Sequence, residues 1–417
     1  MFPLSPFLEL TRGLPDGSFF VGLSSIGWRE SWKYGERSFR YCQHDLGHAI
    51  ASISFSCRLL GLECRLLHNL PSALLERLLA LSPDQFAPEE IEWPECLLLI
   101  YDPQKGAPIP DWHLNTSAAS LMCSDMTIHG SPNRLSATHP NFWPSTVEIA
   151  RLTTTPELAE QTPCGTLAPP SHRYSPPQAA KFRKSNAGET LAGRIIRQRR
   201  SAQEFDSRLS IEVASFCRIL AATLPSLSYS PFMSDERQSR VHLVLFVHRV
   251  NDLPSGLYCL CRDASSLPEL RAAMNPRYSW KRREEMPAEL PLYELQLGEV
   301  EETAIRVSCL QEIAGDSAFS LGMLVRLRDP VLQDPSRYRS LFWETGMVGQ
   351  ALYLAAEGEG LSGTGIGCFF DDLMHTLLQL EGTDFQSLYH FTIGVAIEDT
   401  RVQSIDPYAK IMTNRMS

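Results

Sequence analysis

Two long segments of this 417-residue chain align when it is slid 302 positions along itself, and this repeat limits the fold more than any other feature. Arg37-Ser38-Phe39 falls on Arg339-Ser340-Leu341, Gly47 on Gly349, Ala49 on Ala351, Leu59 on Leu361 and Gly61 on Gly363. Each copy reads as a long helix ending at a glycine-containing loop, followed by a strand and a loop acid. The strand and acid are Leu97–Tyr101 with Asp102 in the first copy and Phe391–Ile397 with Glu398-Asp399 in the second. About 150 residues of further domain precede the second copy and only 36 precede the first. The N-terminal unit is therefore expected to lack its own front half, which leaves open whether Met1 is the natural start.

Prolines place the connection between the copies. Residues 131–190 hold 9 of the 29 prolines, including Pro169-Pro170 and Pro176-Pro177 among many Ser and Thr. Proline lacks an N–H and fixes φ, so this stretch is expected to be extended and to carry neither helix nor central strand. The expected organisation is a partial N-terminal unit over 1–125, a Pro/Ser/Thr-rich linker over 126–188 and a C-terminal unit over 189–417. Within the latter, Thr190–Arg200 and Leu209–Leu224 carry apolar residues at helical spacing. Val241–Val250 and Leu257–Cys261 read as strands about the turn Pro254-Ser255-Gly256. Ser340–Glu359 reads as a long buried helix and Tyr389–Ile397 as the last strand.

Composition then excludes function classes. Lys and Arg total 38 against 48 Asp and Glu, a formal charge of −10. That balance argues against general binding of a nucleic-acid backbone or an anionic membrane. No run reaches the ~18–20 apolar residues of a membrane helix, and the start has no basic, apolar signal pattern. The 11 cysteines are odd in number and form no Cys-x-x-Cys pair, which fits a reduced, cytoplasmic protein with buried thiols.

Five segments carry chemistry. Arg199-Arg200-Ser201 ends a basic helix and offers two forked donors and a short hydroxyl, a phosphate clamp or else a solvated face. Gly363-Thr364-Gly365-Ile366-Gly367-Cys368 lacks the preceding strand of a dinucleotide fingerprint. It reads as a glycine loop that a flat ligand could approach closely, or as a helix C-cap and turn. His44 and His48 have metal-ligand spacing, but Asp45 stands where a zinc protease needs Glu, so no metal is expected and the pair reads as structural histidines near an interface. Lys33-Tyr34 can relay a proton if its surroundings lower the lysine pKa, and is otherwise a surface lysine beside a packed ring. Cys309 reads as a buried thiol leading into the apolar run Phe319–Val325.

Together these segments resemble the nitroreductase superfamily of flavoproteins, and more narrowly its SagB/ThcOx branch of azoline dehydrogenases. Two stretches carry the resemblance. Trp28–Gly61 holds Lys33-Tyr34-Gly35-Glu36-Arg37, Phe39-Arg40-Tyr41 and Asp45-Leu46-Gly47-His48. Ile195–Tyr408 holds Arg199-Arg200-Ser201, Gly256-Leu257-Tyr258, Phe342-Trp343-Glu344-Thr345-Gly346, Gly363–Asp372 and Glu398-Asp399-Thr400-Arg401. The resemblance implies an α+β fold, an antiparallel sheet flanked by helices, with the two units forming an intrachain pseudo-dimer around FMN. It implies that Arg199, Arg200, Ser201 and Arg401 grip the FMN phosphate and ribityl chain. Gly365, Gly367 and Cys368 would face the ring, and Lys33 and Tyr34 would be the catalytic pair. The family's Pro-Ser-Ala-Gly-like loop is missing: Leu224–Tyr229 stands in its place, and the N-terminal unit has no Arg-Arg-Ser. At most one flavin site is therefore expected.

The resulting expectation is an FMN-dependent oxidoreductase, a dehydrogenase oxidising an azoline to an azole in a modified peptide or related natural product. Its partner is a small-molecule or peptide substrate, and a second copy of the chain is a further option. The alternatives are a generic FMN reductase of nitro or quinone substrates and a flavin-free partner subunit of a biosynthetic complex.

Overall fold

The computed structural model describes residues 8–68, 70–105, 112, 114–124, 130–139, 141–156, 191–225, 231–234, 240–283 and 286–403. Most of the expected linker, including Pro169-Pro170 and Pro176-Pro177, and residues 226–229 of the Leu224–Tyr229 segment lie outside the described residues.

The N-terminal unit runs β1 (Phe19–Ile26), α1 (Gly27–Tyr34), α2 (Ser38–Leu59), β2 (Glu63–Leu67), α3 (Ser72–Leu78) and β3 (Glu92–Tyr101). Its three strands form an antiparallel sheet in the order β1-β3-β2. Part of the stretch expected to be extended is folded onto this unit. Pro144–Leu152 is a helix, α4, with proline in its first turn, where a missing N–H costs nothing. Upstream of it, the buried Glu90 carboxylate accepts the N–H groups of Leu135 and Ser136 and pairs with His139.

The C-terminal unit opens with α5 (Leu191–Gln198) and α6 (Val213–Ala221). The latter is shorter than the apolar spacing over 209–224 suggests, because Ile211 instead bridges to Val250. Strands β4 (Val241–Val247), β5 (Gly256–Leu260), β6 (Lys281–Arg282) and β7 (Leu292–Leu297) follow, then α7 (Glu301–Val307), β8 (Phe319–Arg326), α8 (Arg328–Gln333), α9 (Arg337–Gly358), β9 (Ser362–Ile366), α10 (Asp371–Leu378) and β10 (Phe385–Gly394). The antiparallel sheet order is β6-β7-β5-β4-β8-β10-β9. Strand β4 is buried throughout because both its faces are covered, and it is apolar except at His242. Val241, Leu243, Leu245 and Val247 enter one core, and Val244 and Phe246 enter the core on the opposite face. The Gly363–Gly365 segment, expected as a loop or cap, is part of the edge strand β9.

The same succession of elements occurs twice. Strand, helix, 22-residue helix, strand, short helix and strand recur, with sheet orders β1-β3-β2 and β8-β10-β9. The elements register at a displacement of 299 rather than 302 (Arg337 against Ser38, Ser362 against Glu63, Asp371 against Ser72). Both long helices end alike, at Gly61 with φ 73° and Gly360 with φ 74°, a left-handed conformation that suits glycine.

Helices α2 and α9 cross at Gly47 and Gly346, which the 299 displacement brings into equivalence. A Cβ on Gly47 would collide with the Trp343 carbonyl oxygen and lie 2.8 Å from Gly346 Cα. A Cβ on Gly346 would collide with the His44 carbonyl oxygen and lie 2.8 Å from Gly47 Cα. The backbones touch there, and one apolar core continues from Leu46, Ile50 and Leu98 to Phe342, Met347 and Leu352. Beside the crossing lies a buried polar network. Arg339 Nη1 donates to Glu95 Oε2 at 2.6 Å, its Nε to Thr153 Oγ1 at 2.9 Å, and its Nη2 to the Ala150 carbonyl. Glu95 Oε1 accepts from Ser25 and, at 2.9 Å, from Gln43, which in turn accepts from Trp343 Nε1 at 2.6 Å. This network ties β1, β3, α2, α4 and α9 together.

Candidate functional site

The side chains of interest meet where α2 lies against the C-terminal unit. Arg37, Tyr41, His44 and His48, at helical spacing, face α9, β10 and the loop after β9.

At one end is the expected clamp. Helix α5 terminates as the Arg199 N–H donates to the Ile195 carbonyl at 3.0 Å. The Arg199 guanidinium lies 4.4 Å from the centre of the Tyr353 ring, and its Nη1 is buried without a hydrogen-bond partner among the described residues. The following residues dock along the edge of β9: Ala202 N–H donates to Gly363 O at 3.1 Å, and Thr364 Oγ1 to Ala202 O at 2.6 Å. This places Ser201 Oγ 2.9 Å from the Tyr353 hydroxyl, which also accepts the Gly365 N–H at 2.9 Å. Tyr389 closes the group. A Cβ on Gly365 would collide with the Tyr389 hydroxyl and stand 2.9 Å from its Cζ. That hydroxyl lies 3.3 Å from His48 Nε2, and His48 Nδ1–H donates to Gln350 Oε1 at 3.0 Å.

At the other end, a Cβ on Gly367 would collide with the ring of Tyr41 and stand 2.7 Å from its Cδ1. Tyr41 stacks edge-on with Tyr34 at 4.5 Å, and Lys33 Nζ lies 4.9 Å from the Tyr34 ring centre. Arg37 Nη1 donates to the Phe369 carbonyl at 3.1 Å. The structure thus brings Arg199, Ser201 and Gly365 into one cluster, and Lys33, Tyr34, Gly367 and Cys368 into its neighbourhood. Arg200 and Arg401 point elsewhere. Arg200 Nη1 donates to the carbonyls of Arg197 and Arg199 in its own turn, and Arg401 pairs with Asp399 with its side chain 88% exposed. Tyr41, Tyr353 and Tyr389 are not among the expected site residues, since only tertiary packing assembles them; His48, expected as a structural histidine near an interface, sits beside them.

The electrostatics follow from burial. Tyr41 is pushed up to about 12 and Tyr389 well above its usual 10, in both cases chiefly by burial, so these phenols are neutral donors. Lys33 is solvent-exposed and raised, first by its hydrogen bond to Tyr34, so the condition for proton abstraction by a neutral amine is not met; Nζ is a proton donor here.

Burial also lowers His44 and His390 to about 3, and His48, His242 and His248 to about 4. The unfolded chain takes up protons at these histidines below about pH 6.5, while the folded chain resists until about pH 4 or 3. Stability is therefore expected to fall with pH from about 6.5 downward, by about 1.4 kcal/mol per pH unit for each histidine. Urea midpoints measured from about pH 8 to 4.5 check this, and a flat profile would contradict it.

The fit of FMN is divided. The buried, unpartnered Arg199 Nη1 suits a phosphate. The ring cradle is filled by the chain itself: the Gly365 N–H is spent on Tyr353, and the open faces of Gly365 and Gly367 are covered by Tyr389 and Tyr41.

Two antiparallel sheets flanked by helices and joined through a pair of long crossed helices make this a nitroreductase-like α+β fold. Residues 196–395, just under half of the chain, match the model of the nitroreductase family. No curated protein matches the chain by sequence. Among solved structures, a candidate nitroreductase from Anabaena variabilis aligns over 91% of this chain and 69% of its own, at 17% identity and TM-score 0.60. That likeness extends the shared fold across both units. The Escherichia coli microcin synthetase complex McbBCD aligns over 53% of this chain and 77% of the matched chain, at 14% identity and TM-score 0.37. A candidate nitroreductase from Ralstonia eutropha aligns over 52% and 89%, at 13% identity and TM-score 0.34. Among the described residues, no helix is long and apolar enough to cross a membrane.

Proposed function

We propose that the chain is an FMN-dependent oxidoreductase with one flavin site, set between the C-terminal unit and α2, the two units acting as an intrachain counterpart of a dimer. The observation that carries this reading is Arg199 Nη1, a buried guanidinium donor with no acceptor among the described residues, inside the segment that matches the nitroreductase family. An unpaired buried donor of this kind is costly, and a phosphate oxygen would satisfy it.

Arg199 and Ser201 would hold the phosphate and ribityl chain, while Gly365, Gly367 and Cys368 would face the ring. Ring entry requires the Tyr389 hydroxyl and the Tyr41 ring to leave the glycine faces they cover. Bound FMN supplies two-electron, hydride-accepting chemistry. Lys33 Nζ holds a proton beside Tyr34 at the surface. The substrate class, a heterocycle in a modified peptide, rests on the likeness of Lys33-Tyr34 to the azoline dehydrogenase pair, and that reaction requires Lys33 to give up its proton before it takes one from the ring.

Arg199→Ala is expected to weaken FMN binding by on the order of 1.5–3 kcal/mol, roughly 10- to 150-fold, as read by quenching of flavin fluorescence. Equal affinity in the variant would remove the clamp from this role.

The filled cradle favours a second reading, a flavin-free subunit of a biosynthetic assembly. Tyr41, Tyr353 and Tyr389 cover or satisfy the glycine segment without a ligand. On that reading the protein co-purifies with a stoichiometric partner and without flavin.

A further inference from the structure

Of the ten described cysteines, eight are buried; the two that are not, Cys309 and Cys368, stand side by side with their sulfurs 2.7 Å apart. Cys309 is therefore not the buried thiol its sequence context suggests. It lies in a turn after α7, where Cys309 and Leu310 both adopt left-handed backbone, φ 60° and 59°. This conformation is unfavourable for non-glycine residues and persists only where the surroundings impose it. Here the surroundings are two cross-links between the turn and the loop after β9. The Phe370 N–H donates to the Val307 carbonyl at 2.8 Å, and Gln311 Nε2 to the Cys368 carbonyl at 3.0 Å. These bonds bracket the sulfurs and hold them together without a covalent link. Cys368 is exposed, so a small reagent can reach it.

We propose that Cys309 and Cys368 are a redox-active dithiol pair that closes to a disulfide by exchange with a low-molecular-weight disulfide. The Cys368 thiolate attacks one sulfur of the small disulfide, whose S–S bond breaks and releases one thiol. The Cys309 thiolate then attacks the Cys368 sulfur and expels the second thiol. Two electrons pass from the cysteine pair to the small disulfide, the pair loses two protons, and two small thiols are formed. The bond joins the Cys309 turn to the Gly367–Phe370 loop, which Arg37 and Tyr41 of the N-terminal unit contact. The state of the pair thereby sets the freedom of that loop. No flavin is needed for this exchange: it shares Cys368 with the proposed ring-facing loop but rests on neither Arg199 nor bound FMN.

The test treats the purified full-length chain with oxidised glutathione and then maps its peptides by mass under non-reducing conditions. The expected product is a cross-linked peptide joining Cys309 to Cys368, lighter by two hydrogens, free of retained glutathione and reversed by dithiothreitol. In Cys309→Ser, the exchange should stop at Cys368 with one glutathione retained. Two unlinked thiols in the oxidised wild-type chain, stable glutathione adducts on both residues, or a linkage of either one to another cysteine would overturn the proposal.

Discussion

Glu95→Leu is expected to destabilise the chain by about 3–5 kcal/mol, seen as a large drop in urea midpoint. The loss comes from what remains. The Arg339 side chain is 7% exposed and the Glu95 side chain 1%, so removing the carboxylate strands a guanidinium in the interior. Thr153 Oγ1 and the Ala150 carbonyl still accept from Arg339 but cannot neutralise it. The companion Glu95→Leu/Arg339→Met removes both charges and is expected to recover most of the loss, because a buried ion pair contributes little beyond an apolar replacement of similar volume. A single variant as stable as the parent would show that Arg339 reaches water. No recovery in the double variant would show that the pair's hydrogen bonds, rather than its charges, hold the units.

Gly47→Ala has the second large effect, a loss of about 3 kcal/mol. The added methyl meets backbone on the facing helix, the Trp343 carbonyl and Gly346 Cα, and backbone cannot rotate away as a side chain would. The helices must separate, which opens the core between Leu46 or Ile50 and Met347. The same separation moves Tyr41 and His48 relative to Gly365 and Gly367. Gly346→Ala should cost about as much, because its methyl meets the equivalent backbone of α2, the His44 carbonyl and Gly47 Cα. Thermal unfolding of the two variants measures both losses. An unchanged midpoint in either would show that the helix backbones do not meet at this crossing.

Much of the fold can be read from local pattern. The helix Arg337–Gly358 and the strands Val241–Val247, Gly256–Leu260 and Phe385–Gly394 fall close to their expected positions, because an apolar run without proline constrains its own conformation. The register of the repeat cannot be read this way. Glycine identity aligns Gly47 with Gly349, whereas backbone contact matches Gly47 with Gly346; Gly349 instead makes room for the His48 ring. Helix α4 is hidden by its own proline, which breaks a helix interior but suits a first turn.

The candidate site is legible only where a motif is contiguous. Arg199 and Ser201 are separated by a single residue at a helix end, so the clamp shows in sequence. Tyr41, Tyr353 and Tyr389 reach the glycine segment from three elements, and Cys309 meets Cys368 across 59 positions, so neither arrangement has a local signal.

The central claim is that one flavin is held at Arg199 between the two units. The most direct measurement is titration of the purified chain with FMN, followed by gel filtration and a visible spectrum of the protein peak. Flavin absorbance is expected to saturate at one FMN per chain. A protein peak without flavin bands after excess FMN would contradict it.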